Sequence, residues 1–229
     1  MKDSSMRKSF ISVIIIFIGT LLILTLSRTI AGTNGYIYFF ISVFWFIGLF
    51  LRDINTKKEM LSHQWKDFKK MKWRHILYVV ITLILVSFII QITRPFFNQF
   101  IPKNPVYSYA YDINTALGLL FSVLAGIVDL IVAFVEEITY RYEGMYVYKS
   151  NKMLVSIMLI LSSILFGFSH YYNFGGSFIA SMPYAFAGLV FGLMYLLSKN
   201  IWVPVIAHLL FNSTAILSSL FLVIVKLIS

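Results

Sequence analysis

Residues 9–27 read SFISVIIIFIGTLLILTLS, nineteen residues with no charge between Lys8 and Arg28. As a helix this run is about 28 Å long, close to the roughly 30 Å of a bilayer's hydrocarbon core. A basic start (Lys2, Arg7, Lys8) would also suit a signal peptide. The apolar stretch is long, however, and lacks a small-x-small cleavage site, so it is read as an uncleaved first helix.

Six further runs repeat the pattern: Tyr36–Leu51, Ile76–Ile92 closed by Arg94-Pro95, Asn114 to past Phe134, Met153–Ser169, Phe178–Leu197 and Val203–Val225. The composition agrees. Of 229 residues, 59% are apolar and 12% charged, against about 25% charged in a soluble domain. That excludes a disordered chain, a coiled coil and a water-soluble fold. The expected fold class is all-α, a polytopic transmembrane helical bundle of about seven spans, with six to eight as the range.

The net charge of +10, from 19 Lys and Arg against 9 Asp and Glu, is read as basic loops facing an anionic leaflet, not as a nucleic-acid site. With the N-terminus inside, inner segments hold 15 of these cations and outer segments four: Arg28, Arg94, Lys103 and Lys226. This predicts an integral membrane protein with a cytoplasmic N-terminus. The 13 Lys against 6 Arg, with abundant Ile, Phe and Asn, fit a bacterial cell membrane. Zero cysteines remove disulfides, thiol nucleophiles and Cys-ligated metals.

The densest basic stretch lies within 52–75. There Leu61, Trp65, Phe68 and Lys72 recur at helical spacing with Lys66, Lys69 and Lys70 between them. This suggests a basic amphipathic helix on the cytoplasmic surface, with a solvated loop as the alternative. In the sixth span, Ser177, Ser181, Ala185, Gly188 and Gly192 form a small-residue stripe, read as close packing within the molecule.

An ionisable group at mid-bilayer costs roughly 2.5–3.5 kcal/mol on insertion scales. The chain nevertheless places Asp129, Glu136, Glu137, Arg141, His170 and His208, with the amide Asn212, in or at apolar spans. The other two histidines, His63 and His75, fall in or beside the basic stretch and are given no role. Glu137 and Arg141 are four apart in the favourable acid-before-base order. Glu136 points about 100° away, so the expected division is a structural Glu137–Arg141 pair and a Glu136 aimed into a cavity. His208 and Asn212 share one face of the seventh span. Asp129, seven before Glu136, is expected near the outer water.

A buried carboxylate beside a histidine can deprotonate water, and a second histidine with an amide can donate to an oxyanion. That is a set for peptide hydrolysis without a covalent intermediate. Two readings compete with it. Glu136, His170 and His208 could hold zinc, although no HExxH is present, and intramembrane Glu and His also serve proton-coupled transporters. Straight helices would put His170, about 26 Å along the fifth span, and His208, near the start of the seventh, in opposite leaflets. Convergence is expected, with Arg141–Ser150 as an elbow that lowers the fifth span.

Glu136-Glu137-x-x-x-Arg141, Phe166-x-x-x-His170 and His208-x-x-x-Asn212 occur in this order on successive apolar runs. With ILFGFSH at Ile164–His170, AGLVFGLMY at Ala187–Tyr195 and IWVPVIAHLLFN at Ile201–Asn212, they resemble the CAAX-protease and bacteriocin-processing family, also called the Abi family. The resemblance covers about Asn114–Asn212. It divides the chain into N-terminal spans over 1–113 and a catalytic transmembrane core over 114–229.

The resemblance implies an intramembrane endopeptidase acting on a membrane-associated peptide or protein, in bacteriocin processing or self-immunity. In that scheme Glu136 and His170 activate water, His208 and Asn212 form the oxyanion hole, and Glu137 and Arg141 support the first pair. No cofactor is expected; a divalent metal such as zinc on Glu136, His170 and His208 is the alternative. The functional alternative is a non-proteolytic immunity or scaffold protein. One departure stands out: the family often has Gly directly after the Arg, whereas Tyr142 and Glu143 intervene here before Gly144.

Overall fold

In hydrocarbon, every backbone N–H and C=O must find its partner within the chain, and a helix does this within each segment. The apolar runs accordingly fold as helices. The computed structural model describes residues 2–32, 34–106 and 111–228, and no strand occurs among them. Its helices are α1 (Lys2–Ala31), α2 (Gly35–Lys70), α3 (Lys72–Asn98), α4 (Ala116–Glu136), α5 (Lys152–Ser169), α6 (Met182–Ser198) and α7 (Trp202–Ile228). Six are long and apolar enough to cross a membrane, and α6, at 17 residues, is shorter.

The helix ends are written in the sequence. Asn34 accepts from the Tyr36 and Ile37 amides, Thr115 from Gly118 and Asn151 from Leu154, each capping a helix start. Pro183 opens α6, where its missing N–H costs nothing. Pro95 does not end α3, which runs to Asn98.

The basic stretch departs from expectation. It is neither a separate surface helix nor a loop, because α2 continues through it to Lys70. Leu61, Gln64 and Phe68 turn inward, and the start of α7 docks on them. Asn200 Nδ2 donates to the Gln64 carbonyl at 2.7 Å. Gln64 Oε1 accepts from the Ile201 amide at 2.5 Å, and Trp202 Nε1 donates to the Leu61 carbonyl at 3.0 Å. Among these groups the Ile201 amide, in the turn between α6 and α7, would otherwise be orphaned.

The small-residue stripe of α6 faces α5. A Cβ on Gly188 would meet Phe166 and Ser163, and one on Gly167 of α5 would meet Ala185. Close backbone approach of this kind replaces hydrophobic drive in lipid.

Between α4 and α5 the chain leaves the α-helix. Residues Glu137–Glu143 form a π-helix in which the Gly144 amide donates to Thr139 O, five residues back, at 2.8 Å. A short 3₁₀ turn, Tyr146–Tyr148, follows. This is the elbow: it carries the chain beyond the end of α4 before α5 begins, so that the end of α5 returns to the level of Glu136.

Candidate active site

The π-helix sets the site. Glu136 is the last α-helical residue of α4 and Glu137 the first of the wider turn, so the adjacent carboxylates face different surroundings. A π-turn inside an α-helical run is rare and often marks a functional site.

Glu137 faces inward and is fully buried. Its Oε1 accepts from His208 Nδ1 at 2.9 Å, and its Oε2 lies 3.2 Å from Arg141 Nε. The Arg141 guanidinium is also buried, 3.9 Å from the Phe166 ring centroid and 5.4 Å from that of Phe191. Its nitrogens make no hydrogen bond among the described residues, so ring faces and the Glu137 charge are its surroundings.

Glu136 faces a cavity of about 480 Å³. His170 Nε2 lies 4.0 Å from its Oε1, and His208 Nε2 lies 3.9 Å from its Oε2. His170 sits at the end of α5, where Nδ1 donates to the Phe166 carbonyl at 2.8 Å. That bond fixes the tautomer: Nε2 carries the lone pair and points toward Glu136. The Tyr184 ring, 4.3 Å from that of His170 by centroids, holds the imidazole from the other side.

The structure thus brings Glu136, His170 and His208 together, but it rearranges the expected partnerships. His208 does not stand on the cavity wall beside Asn212; it lies behind Glu136, stacked on Phe191 at 4.8 Å. Four residues advance a helix by about 6 Å, so Asn212 sits one turn nearer the mouth. There it lines the cavity and donates Nδ2 to the Asp129 carbonyl at 3.1 Å. Glu137 and Arg141 support His208 rather than the Glu136–His170 pair. Asp129 lines the same cavity and is exposed to water at its open end.

Among the cavity residues that sequence reading missed are Thr139, Tyr140 and Ser169, next to the Glu136–His170 pair. The Thr139 hydroxyl is buried with no hydrogen-bond partner among the described residues, a polar group left for whatever fills the cavity. Its signal was available, since Thr139 lies three residues past Glu136 in an apolar run.

A tetrahedral zinc with ligands at about 2.1 Å separates them by about 3.4 Å. The pairs here lie wider, at 3.9 and 4.0 Å. No group of three or more His, Asp or Glu among the described residues is arranged to hold a metal. As placed, Glu136, His170 and His208 do not close on an ion.

Residues 115–214 match the family model of type II CAAX prenyl endopeptidase Rce1-like proteins. Over this stretch the chain is similar to CAAX proteases. The match spans α4, the elbow, α5, α6 and half of α7, and so includes Glu136, Glu137, Arg141, His170, His208 and Asn212. No curated protein and no solved structure matches the chain. The helices α1 to α3 lie outside the matched residues, yet α1 and α2 supply one wall of the cavity through Ile16, Thr20, Tyr38 and Ser42.

Proposed function

We propose that the chain is an intramembrane endopeptidase that hydrolyses a peptide bond in a membrane-associated peptide or protein, using a water held between Glu136 and His170. The 4.0 Å between Glu136 Oε1 and His170 Nε2 carries this reading. It is too long for a direct hydrogen bond and short enough for one water to touch both atoms. Both atoms are acceptors, so the water gives a hydrogen to each and turns an oxygen lone pair toward the cavity.

As that oxygen attacks the carbonyl carbon, its proton passes to Glu136. The tetrahedral oxyanion takes hydrogen bonds from the second Nδ2 hydrogen of Asn212 and from the Thr139 hydroxyl. His208, behind Glu136 and held by Glu137 through Nδ1, turns its Nε2 toward Glu136 Oε2 rather than into the cavity. The proton held by Glu136 then moves to the amine nitrogen as the C–N bond breaks, leaving a carboxylic acid and an amine; the acid's remaining proton passes to the amine, giving a carboxylate and an ammonium. No cofactor enters this scheme, so cleavage is expected to survive exhaustive chelation. Loss on chelation with recovery on adding zinc would overturn that part. The biological setting that fits is processing of, or self-immunity to, bacteriocin peptides at a bacterial membrane.

The test is cleavage of a quenched peptide library by protein reconstituted in vesicles, beside Glu136→Gln with an unchanged melting temperature. Cleavage by the wild type alone supports the proposal. Equal cleavage by both removes Glu136 from the role. Full biological activity of Glu136→Gln in cells turns the reading toward a binding-only immunity protein.

A further inference from the structure

The cavity has a closed end and an open end, and they differ in charge. Its floor is made by Ile16, Leu49 and Val135, all buried and packed on Trp45, Phe46 and Phe50. Beyond that floor lies the closed ionic cluster of Ser12, Arg52, Lys57 and Glu143. At the other end, Asp129, Asn173, Thr214 and Ala215 line the cavity and are exposed. On α2 the lining residues run only from Tyr38 to Leu49 of a helix that continues to Lys70. The mouth therefore lies at the end carrying the α1–α2 and α5–α6 connections.

The cations gather at the opposite end. Arg141 is buried in the site and leaves the inner count, yet fourteen basic residues remain against four at the mouth end. They include the run from Arg52 to Arg74, with Lys149, Lys152 and Lys199. Short basic segments are retained on the cytoplasmic side. Among the described residues, Glu136 and Asp129 are the charged residues that line the cavity, and no Lys or Arg is part of that lining; Arg28 and Arg94 lie over the Tyr172 and Phe174 rings on either side of Asn173.

We infer that the cavity opens to the extracytoplasmic side of the membrane and takes an exported, membrane-attached peptide whose segment around the scissile bond is neutral or basic. The substrate part rests on the peptidase reading; the sidedness does not. An acidic, cation-free wall repels a carboxylate-rich segment. A substrate confined to the cytoplasm cannot reach Glu136 from the mouth.

The absence of cysteine makes the test direct. Asn173→Cys, at the mouth, and Ser62→Cys, exposed on the basic length of α2, are each probed in intact cells with a membrane-impermeant maleimide. Full reaction after solubilisation serves as the reference. Asn173→Cys is expected to react in intact cells and Ser62→Cys only after permeabilisation. The reverse pattern, reaction of both in intact cells, or reaction of neither overturns the sidedness.

A quenched neutral or basic peptide on a lipid anchor in the outer leaflet is then offered to cells, with an acidic version beside it. Cleavage of the first, absent with Glu136→Gln and weaker for the acidic peptide, supports the substrate class. Outward labelling without cleavage of either peptide leaves the sidedness standing and counts against the peptidase reading. Equal cleavage of both peptides overturns the charge preference alone.

Discussion

Two charge clusters flank the same π-helix, and they are built in opposite ways. Around Glu143, at its far end, every contact is short. Lys57 Nζ lies 2.6 Å and Arg52 Nη2 2.7 Å from the carboxylate, Ser12 Oγ donates to it at 2.9 Å, and Asp53 lies 3.1 Å from Arg52. Two cations face two acids, with the buried Asp53 carboxylate held by charge alone, since it makes no hydrogen bond among the described residues. Around Glu136, at the near end, the two imidazoles stop at 3.9 and 4.0 Å and a cavity adjoins. The far charges meet one another directly, as in a structural ion-pair network. Charges kept one water apart beside a cavity are arranged to act on something that enters.

The largest effect that follows is at Glu136. Glu136→Gln keeps the shape and removes the proton acceptor, so activity should fall by about 10²–10⁴-fold with the melting temperature unchanged. A comparable fall in stability instead would make the two clusters alike and break the contrast. Glu137→Gln should act on both. It removes the charge beside buried Arg141 and weakens the bond that orients His208. Breaking a buried pair costs about 3–5 kcal/mol, so this variant should lose both stability and activity per folded molecule.

Glu143→Ala should separate the clusters cleanly. Arg52 and Lys57 are partly exposed and can turn back toward water, so the loss is expected near about 1–2 kcal/mol. Thermal melting and cleavage by the folded fraction measure the two effects separately. Activity per folded molecule should be kept; if it drops as far as in Glu136→Gln, the far cluster is part of the chemistry and the comparison fails.

The near cluster was partly legible in the sequence and the far one was not. A turn of 100° between neighbours separated Glu136 from Glu137, and rare charges in apolar runs marked the residues. The Glu137–His208 bond was hidden because it spans α4 to α7 across a π-turn, and no local pattern announces that extra residue. Glu143 could not be read because its partners, Ser12, Arg52 and Lys57, lie 131, 91 and 86 positions away along the chain. Continuous α2 was missed for a related reason. Its lysines look like a loop, and only the docking of Gln64 on Asn200 and Ile201 makes that length a packed helix.

The smallest predicted effect concerns the rim of the near cluster. The segment after His170 forms a short turn, Tyr171–Phe174, and the Tyr172 hydroxyl meets Thr25 Oγ1 on α1 at 2.6 Å. This bond ties the turn that carries Asn173 to a helix outside the residues that match the family model. Thr25→Val keeps the volume and deletes the partner, at a cost of about 1 kcal/mol. His170 itself is held by Phe166 and Tyr184, so kcat should change little. Asn173 stands at the mouth, so a loosened turn should raise KM instead. A fall in kcat with KM unchanged would mean that α1 helps position the imidazole, extending the catalytic unit beyond residues 115–214.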